Sequence, residues 1–152
     1  MTVYIPAPRV MDDTKVSILI VEDEAIQAMG LEETLERAGY RVAGIADNGE
    51  EVLEFVAREK VDLVVMDIHI KGDMDGVKTA LKVREIKPDI PIIYLSAYVD
   101  QETVRRAKET SPAAYITKPY RQLNLLSSIE TALLNAKNAS DDNKENDSPD
   151  AG

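Results

Sequence analysis

Polar side chains suited to binding metal ions and phosphate follow several apolar segments of this sequence. Glu22 and Asp23 come after VSILIV, and Asp67 comes after VDLVVM. Ser96 and Lys118 come directly after two later apolar segments. Clustered carboxylates repel one another unless a cation lies among them, and oxygen ligands suit a hard ion. These residues therefore predict a site for Mg²⁺, or for the similar ion Mn²⁺.

Lys118 and Ser96 suit the same site as donors to the oxygens of a bound phosphate group. An aspartate can also act as a nucleophile and form an aspartyl phosphate. Asp67 fits that role because it ends the most apolar segment, which we predict near the centre of a sheet. Phosphoryl transfer requires mainly positioning and neutralisation of charge. The sequence thus predicts metal-assisted phosphoryl chemistry at Asp67.

These side chains can meet only if the apolar segments are parallel strands of one sheet. Short apolar runs alternate with amphipathic stretches of helical period, and the runs are VSILIV, RVAGIA, VDLVVM, PIIYL and AAYIT. Continuous apolar strands separated by helices are typical of a parallel sheet with helices on both faces. The sequence predicts an open, doubly wound α/β sheet of five strands. Ligands bind beyond the carboxyl ends of such strands, where the polar residues lie.

Composition and charge exclude several classes of site and partner. The 152 residues contain no cysteine and one histidine, His69, which excludes disulfides, thiolate zinc sites and sites of several histidines. The net charge of −10 argues against nucleic acid as a partner, because phosphate contacts need a basic surface. Every apolar run is shorter than the ~18 residues that span a bilayer, and the N-terminus lacks the features of a signal peptide. We expect a cytoplasmic protein with no membrane or nucleic-acid partner.

The two ends of the chain are predicted to lie outside the folded domain. Residues 1–14 contain two prolines and no sustained period, which predicts a flexible N-terminal extension. Residues 137–152, KNASDDNKENDSPDAG, contain no large apolar residue and cannot offset their ordering entropy by burial. They are predicted to form an acidic disordered tail. The domain is then predicted at 15–136, with its last helix ending near Ala136.

The motifs VEDE, MDIHI followed by MDG, YLSAY and YITKPY resemble, in order and spacing, the receiver domain of two-component response regulators. The resemblance covers about Lys15 to Ala136. It implies a flavodoxin-like (βα)5 fold with strand order 2-1-3-4-5. It also implies that Asp67 accepts a phosphoryl group from the phosphohistidine of a sensor histidine kinase or phosphotransfer protein.

The resemblance implies a role for each residue of the metal site. Asp23 would ligate Mg²⁺ directly, and Glu22 would act through a water molecule. Asp67 would be both nucleophile and metal ligand, and the backbone carbonyl of His69 would be a further protein ligand. Lys118 would bind an oxygen of the phosphoryl group.

The resemblance also implies a switch next to this site. The Ser96 hydroxyl would turn toward the phosphoryl group while the aromatic ring of Tyr115 moves inward. The peptide bond Lys118–Pro119 is cis in the family, a rare geometry outside such retained features. His69 and Tyr98 occupy positions that flank the path of the hydrolytic water. Because both side chains are bulky, we expect slow loss of the phosphoryl group.

The loop after Asp67 departs from the family pattern. The family has a proline four residues after the phospho-acceptor, where this chain has Lys71, and KGDMDG carries one extra residue. We expect the extra length to alter the loop over the site without moving Asp67. Asp73 and Asp75 are predicted to be loop or helix-cap residues rather than ligands.

The resemblance implies signalling through protein contacts rather than through bound nucleic acid. The expected surface comprises the fourth helix, fifth strand and fifth helix, which the family uses for output and for dimers. Basic side chains of that surface could pair with acidic ones across a homodimer: Arg105, Arg106, Lys108 and Arg121 with Glu109 and Glu130. Only a polar tail follows Ala136, so we expect a single-domain regulator or phosphate-relay intermediate without a DNA-binding domain. It would catalyse only its own phosphorylation and dephosphorylation.

Two other functions stay open at this point. A pseudo-receiver is a binding module of the same fold that is never phosphorylated, but such modules typically lose residues that this chain keeps. A haloacid-dehalogenase-like phosphatase also forms an aspartyl phosphate, yet it needs a second acid where this chain has His69. A flavin or dinucleotide site would need a glycine-rich turn, and VEDEAIQ after the first strand has none.

Overall fold

The computed structural model describes residues 14–146 as five strands that alternate with five helices. This alternation confirms the α/β class that the apolar runs predict. The elements are β1 Ser17–Val21, α1 Ala25–Arg37, β2 Arg41–Ala46, α2 Gly49–Arg58, β3 Leu63–Asp67, α3 Gly76–Ile86, β4 Ile92–Ser96, α4 Gln101–Glu109, β5 Ala114–Thr117 and α5 Gln122–Asn146.

The sheet is fully parallel and its strand order is β2-β1-β3-β4-β5, as predicted. Strand order reverses between β1 and β3, which is the point where doubly wound sheets bind ligands. In the register of the sheet Val21 lies beside Met66, and Asp67 lies beside Leu95. The carboxyl ends of β1, β3 and β4 therefore meet at one edge, and each polar residue that follows a strand is delivered to that edge.

The strands at the centre of the sheet are buried on both faces. Alternate residues of β1 face opposite ways: Leu19 and Val21 pack with α2, α3 and α4, whereas Ile18 and Ile20 pack with α1 and α5. Because helices cover both faces, the strands need continuous apolar sequence rather than alternation. This burial fixes the backbone that carries the polar edge.

Three helices begin at polar side chains that cap the first turn. Asn48, Asp75 and Asp100 accept hydrogen bonds from the amides three residues later, at 3.0, 2.9 and 3.0 Å. Such caps satisfy amides that have no partner within the helix. At the other end of α1, Gly39 adopts a φ of +95°, the conformation in which glycine commonly ends a helix. Local sequence thus determines where these helices begin and end.

The last helix is longer than predicted. α5 continues to Asn146, so the predicted end near Ala136 is wrong and residues 137–146 of the predicted tail are helical. No proline or glycine interrupts this stretch, and its alanine, lysine and glutamate favour helix. Residues 1–13 and 147–152 lie outside the described residues, and the domain boundaries stay predictions. Within 14–146 no helix, α5 included, is long and apolar enough to cross a membrane.

Candidate functional site

Three carboxylates meet at the carboxyl edge of the sheet. Glu22, Asp23 and Asp67 each offer one oxygen, and these oxygens lie within 4.8 Å of one another. The amide of Glu22 donates to the carbonyl of Ala46 at 2.9 Å, which continues the sheet contact past the end of β1. Glu22 is buried, whereas Asp23 and Asp67 are half-buried and reachable from solvent. A set of oxygen ligands without nitrogen or sulfur fits Mg²⁺, which takes few carboxylates and keeps waters.

The ammonium group of Lys118 lies among these acids. Its Nζ donates to Glu22 Oε2 at 3.0 Å, to Asp67 Oδ2 at 2.9 Å and to Gln27 Oε1 at 2.8 Å. An ammonium has three protons, so each is directed at a protein oxygen. Lys118 follows β5 directly, and the cis peptide bond between it and Pro119 is the geometry that the resemblance implies.

Burial and charge shift the pKa values of this cluster. Burial raises the pKa of Glu22 above its ordinary value, the hydrogen bond from Lys118 opposes that rise, and the nearby Asp67 carboxylate adds to it. Burial by itself lowers the pKa of Lys118, but its hydrogen bonds to Asp67 and Glu22 outweigh burial and leave the pKa raised. Lys118 is therefore a fixed positive charge at neutral pH, as phosphoryl binding requires.

The backbone after β3 holds Asp67 closely. Its Oδ1 accepts a hydrogen bond from the amide of His69 at 3.1 Å, and Gly76 donates its amide to the carbonyl of Ile68 at 2.6 Å. A Cβ atom at Gly76 would lie 2.4 Å from the Asp67 carbonyl oxygen. Glycine at the start of α3 therefore permits the helix to pack directly against the residue that carries the candidate nucleophile.

Ser96 and Tyr115 are linked to each other through the loop after β4. Ser96 is buried, and its Oγ accepts from the amide of Tyr98 at 3.0 Å. The hydroxyl of Tyr115 donates to the carbonyl of Tyr98 at 2.5 Å. Within 14–146 the Ser96 hydroxyl makes no hydrogen bond to Asp67, so the structure places it beside the acidic cluster without joining it. Both side chains engage the segment that connects the site to α4.

His69 and Tyr98 form an aromatic pair. His69 lies two residues after Asp67, and Tyr98 lies two residues after Ser96. Their ring centroids are 3.8 Å apart and the rings are tilted by 42°. Within residues 14–146 the acidic cluster comprises Glu22, Asp23 and Asp67, and the His69 ring is not part of it. The role of the His69 carbonyl as a metal ligand stays a prediction. Both side chains are exposed, and the amide of His69 bonds to Asp67, so one member of the pair lies close to the candidate nucleophile.

The long loop after Asp67 is attached to the neighbouring loop between β2 and α2. Lys71 pairs with Asn48 in an isolated parallel bridge, and its amide donates to the carbonyl of Asp47 at 3.2 Å. Gly72 has a φ of +95°, which lets the chain turn there. The loop that differs from the family pattern is thus held by the loop between β2 and α2. Asp73 lies on this exposed loop and is absent from the acidic cluster.

Asp75 joins α3 to α4 as well as capping α3. Its two oxygens face Arg106, with Nη1 to Oδ2 at 2.9 Å and Nη2 to Oδ1 at 3.3 Å. Burial works to raise the pKa of Asp75, but hydrogen bonds from Arg106 and the Lys78 amide outweigh it, so its pKa is lowered. Because Gly76 packs on Asp67, this ion pair ties α4 to the backbone of the site.

Arg106→Gln is expected to lower the free energy of unfolding by about 1 kcal/mol at neutral pH, a value that allows for partial exposure of the pair. Because the pKa of Asp75 is lowered by folding, its contribution is present above the unfolded value and is lost as pH falls through the folded value. In urea unfolding, the difference in free energy of unfolding between wild type and Arg106→Gln should be smaller below pH ~4 than at neutral pH.

The matched control is Arg105→Gln in the same helix. Among the described residues Arg105 pairs with the exposed Glu102 and Glu109 of its own helix α4, so its loss should matter less. An Arg106→Gln deficit that stays constant down to acid pH would contradict a role for the charge of Asp75.

Sequence reasoning did not identify Gln27 or Arg106 as partners of the site. Gln27 lies in the first turn of α1, which begins two residues after Asp23, so it is close in the chain to the acids. That spacing was the available signal, but a glutamine on an exposed helix is ordinary without its contact to Lys118. The Arg106 contact depends on how α4 packs against α3, which no local pattern specifies.

Known proteins resemble this chain over most of its length. A sequence profile for the response regulator receiver domain matches residues 18–130. The chain is 36% identical over 116 residues to the transcriptional regulatory protein PdtaR of Mycobacterium tuberculosis, covering 76% of this chain and 56% of that protein. It is 34% identical over 112 residues to the chemotaxis protein CheY of Thermotoga maritima, covering 74% of this chain and 92% of CheY.

A solved structure shows the same architecture. The CheY-like response regulator receiver domain protein of Methanospirillum hungatei superimposes with a TM-score of 0.78 at 27% identity, covering 83% of this chain and 99% of that chain. The chain matches nearly all of CheY but only about half the length of PdtaR. What the rest of PdtaR does therefore has no counterpart in the matched residues.

Proposed function

The chain belongs to the family of response regulator receiver domains, and from that premise we propose that Asp67 accepts a phosphoryl group in a Mg²⁺-dependent reaction. One observation carries this proposal: Lys118 donates to both Glu22 and Asp67 within a cluster of carboxylates that has the oxygen ligands of a Mg²⁺ site. A pseudo-receiver would have no need of this arrangement. The donor would be the phosphohistidine of a sensor kinase or of a phosphotransfer protein.

Each residue of the site would contribute a different part of the phosphoryl transfer. A carboxylate oxygen of Asp67 attacks phosphorus, the bond from phosphorus to the histidine nitrogen breaks, and an acyl phosphate forms. Asp23, Asp67 and Glu22 would hold Mg²⁺, which when bound neutralises charge on the phosphoryl oxygens. Lys118 exchanges its Asp67 contact for a phosphoryl oxygen and thereby stabilises the charge of the transition state.

The signal would leave the site through the loop after β4. Ser96 and Tyr115 both contact Tyr98, so a turn of the Ser96 hydroxyl toward a phosphoryl group would change the contact that holds Tyr115. A modification that biases such a two-state element shifts the population of its conformations. This loop leads into α4, and Tyr115 lies in β5. We propose that the surface of α4, β5 and α5 binds the downstream protein target.

The charges predicted to pair across a homodimer are partly engaged within the chain. Arg105 bonds to Glu102 and Glu109, and Arg106 bonds to Asp75. A dimer through this surface would therefore exchange existing contacts rather than add new ones, which weakens the argument from charge alone. Contacts with a different protein carry the proposed output.

The test is incubation with acetyl phosphate and Mg²⁺, followed by intact mass measurement. We expect the wild-type chain to gain one phosphoryl group, and we expect no gain when Mg²⁺ is removed by a chelator. Asp67→Asn keeps the size of the side chain and removes the nucleophile, so it should gain none. Asp73→Asn is the matched control and should behave as wild type. A wild-type chain that stays unmodified with Mg²⁺ present would indicate a pseudo-receiver.

The aromatic pair should control how long the phosphoryl group persists. Replacing His69 and Tyr98 together by small polar residues such as asparagine should speed its hydrolysis by roughly tenfold, because access and orientation of water contribute that order of effect. The measurement is the decay of the phosphorylated mass after the donor is removed. Tyr40→Asn, an aromatic change directly before β2 at the amino ends of the strands, serves as control. Equal decay in the double variant and wild type would show that the pair does not shield the site.

A further inference from the structure

Gln27 is the one acceptor of Lys118 that carries no charge. Its Oε1 accepts from Lys118 Nζ at 2.8 Å, which is the shortest of the three contacts of that ammonium. The other end of the amide, Nε2, donates to Glu24 Oε2 at 2.5 Å. Glu24 therefore orients the amide so that its oxygen, rather than its nitrogen, faces Lys118.

The two charged acceptors of Lys118 are also members of the acidic cluster. Glu22 and Asp67 can bind the ammonium or a divalent cation, and a cation placed among them repels the ammonium. Gln27 is neutral, so a divalent cation competes less for its oxygen than for the oxygens of the two carboxylates. The hydrogen bond between Lys118 and Gln27 therefore persists when the hydrogen bonds from Lys118 to the carboxylates weaken.

Gln27 also approaches Lys118 from a different element of the fold than Asp67 does. Its side chain reaches Lys118 from the first turns of α1, whereas Asp67 reaches it from β3. The ammonium is thus held between two elements of the fold. Without Gln27, a metal ion at the carboxylates would leave a long, rotatable side chain with little to fix its end.

We propose that Gln27 is a positioning residue: its amide oxygen keeps the Lys118 ammonium at the site when a divalent cation engages the carboxylates. This inference rests on the proposed function, because it concerns the same reaction. Gln27 itself touches neither the phosphoryl group nor the metal ion in this role. Its effect should therefore appear in the order of Lys118 and in the rate of phosphoryl uptake, but not in the affinity for Mg²⁺.

The first measurement follows the ammonium directly and needs no phosphorylation. In protein labelled with ¹⁵N-lysine, the Lys118 ammonium signal is identified by its loss in Lys118→Met. We expect a slowly exchanging signal in the wild type with and without Mg²⁺. In Gln27→Met the signal should persist without Mg²⁺ and broaden beyond detection when Mg²⁺ is added.

The second measurement is the rate of phosphoryl uptake from acetyl phosphate. Gln27→Met should lower kcat/KM roughly threefold to tenfold, the effect of losing one partly exposed hydrogen bond to a charged group. The apparent binding constant for Mg²⁺ should stay unchanged. A merely structural change in α1 would alter Mg²⁺ binding too, because Asp23 lies two residues before that helix.

Gln122→Met is the matched control for both measurements. Gln122 donates an exposed amide hydrogen bond to Thr34 of α1 at 3.2 Å, away from Lys118, so its loss should leave both readouts at the wild-type value. The proposal is overturned if Gln27→Met keeps its ammonium signal in Mg²⁺, or if the wild type loses that signal in Mg²⁺. If the wild type takes up no phosphoryl group, the proposed function fails, and the ammonium signal still decides the role of Gln27.

Discussion

Lys118→Met is expected to slow phosphoryl uptake by about 10²-fold or more while strengthening the binding of Mg²⁺. The loss of rate follows from removing a positive charge aimed at the position where the transition state gathers charge, an effect of that order in other enzymes. The gain in Mg²⁺ affinity follows because Lys118 occupies the same carboxylates as the metal ion would, at 3.0 Å from Glu22 and 2.9 Å from Asp67.

Both effects can be measured on the same preparations. Uptake from acetyl phosphate is followed by intact mass at saturating Mg²⁺, and Mg²⁺ affinity by isothermal titration calorimetry. Lys82→Met makes the same change on the exposed face of α3 and should match the wild type in both. Methionine keeps the length of the lysine stem, so the variant tests the charge rather than the packing.

The opposite directions of the two effects make the outcome specific. A variant that merely damaged the fold would weaken Mg²⁺ binding and slow uptake together. If Lys118→Met takes up phosphate at the wild-type rate, the ammonium has no part in the reaction. If its Mg²⁺ affinity is unchanged, the contacts of Lys118 with the carboxylates do not compete with the metal ion.

Gly76→Ala is expected to lower the free energy of unfolding by about 2–3 kcal/mol, the cost of overpacking a well-packed interior. The added Cβ would meet the carbonyl oxygen of Asp67 at 2.4 Å and the Cα of Ile68 at 2.8 Å. Both atoms belong to the backbone at the end of the central strand, so neither can move aside as a flexible side chain could. Urea unfolding with the slope held common to both proteins measures the change.

Gly30→Ala is the matched control for this substitution. Gly30 lies in α1, and a Cβ there would find no atom within 4 Å. Alanine favours helix over glycine by about 1 kcal/mol, so this variant should be more stable than the wild type. If Gly76→Ala lowers the free energy of unfolding and Gly30→Ala raises it, the close approach of α3 to Asp67 is what requires glycine at position 76. Equal stability of Gly76→Ala and wild type would show that α3 can shift away from β3 at little cost.

Much of the fold follows from sequence features that act locally. The apolar runs fix the strands, and the polar caps Asn48, Asp75 and Asp100 fix the starts of three helices. Because each functional residue directly follows a strand of one parallel sheet, the sheet itself brings Glu22, Asp67 and Lys118 together. Their convergence could therefore be predicted before any distance was known.

The end of α5 shows where local reasoning was insufficient. Residues 137–146 lack large apolar side chains, which argued for disorder, yet nothing in their backbone stops a helix that begins inside the folded domain. A helix already nucleated by packing extends at little cost, whereas the same residues alone would not form one. The lesson concerns helix ends in general, since burial starts a helix but does not determine its last residue.

The sequence by itself determined the fold class and the acidic, hydroxyl and lysine residues at one edge of the sheet, and its resemblance to receiver domains supplied the order of the strands. Only the tertiary structure decided which further side chains complete that edge: Gln27 on Lys118, Arg106 on Asp75, and the ring of His69 against Tyr98. The physical reason is that the helix and strand residues that face the core must be apolar. They therefore recur in the sequence with the period of the helix or strand. A contact between polar side chains of different elements leaves no such pattern, since it depends on the angle and distance at which those elements pack.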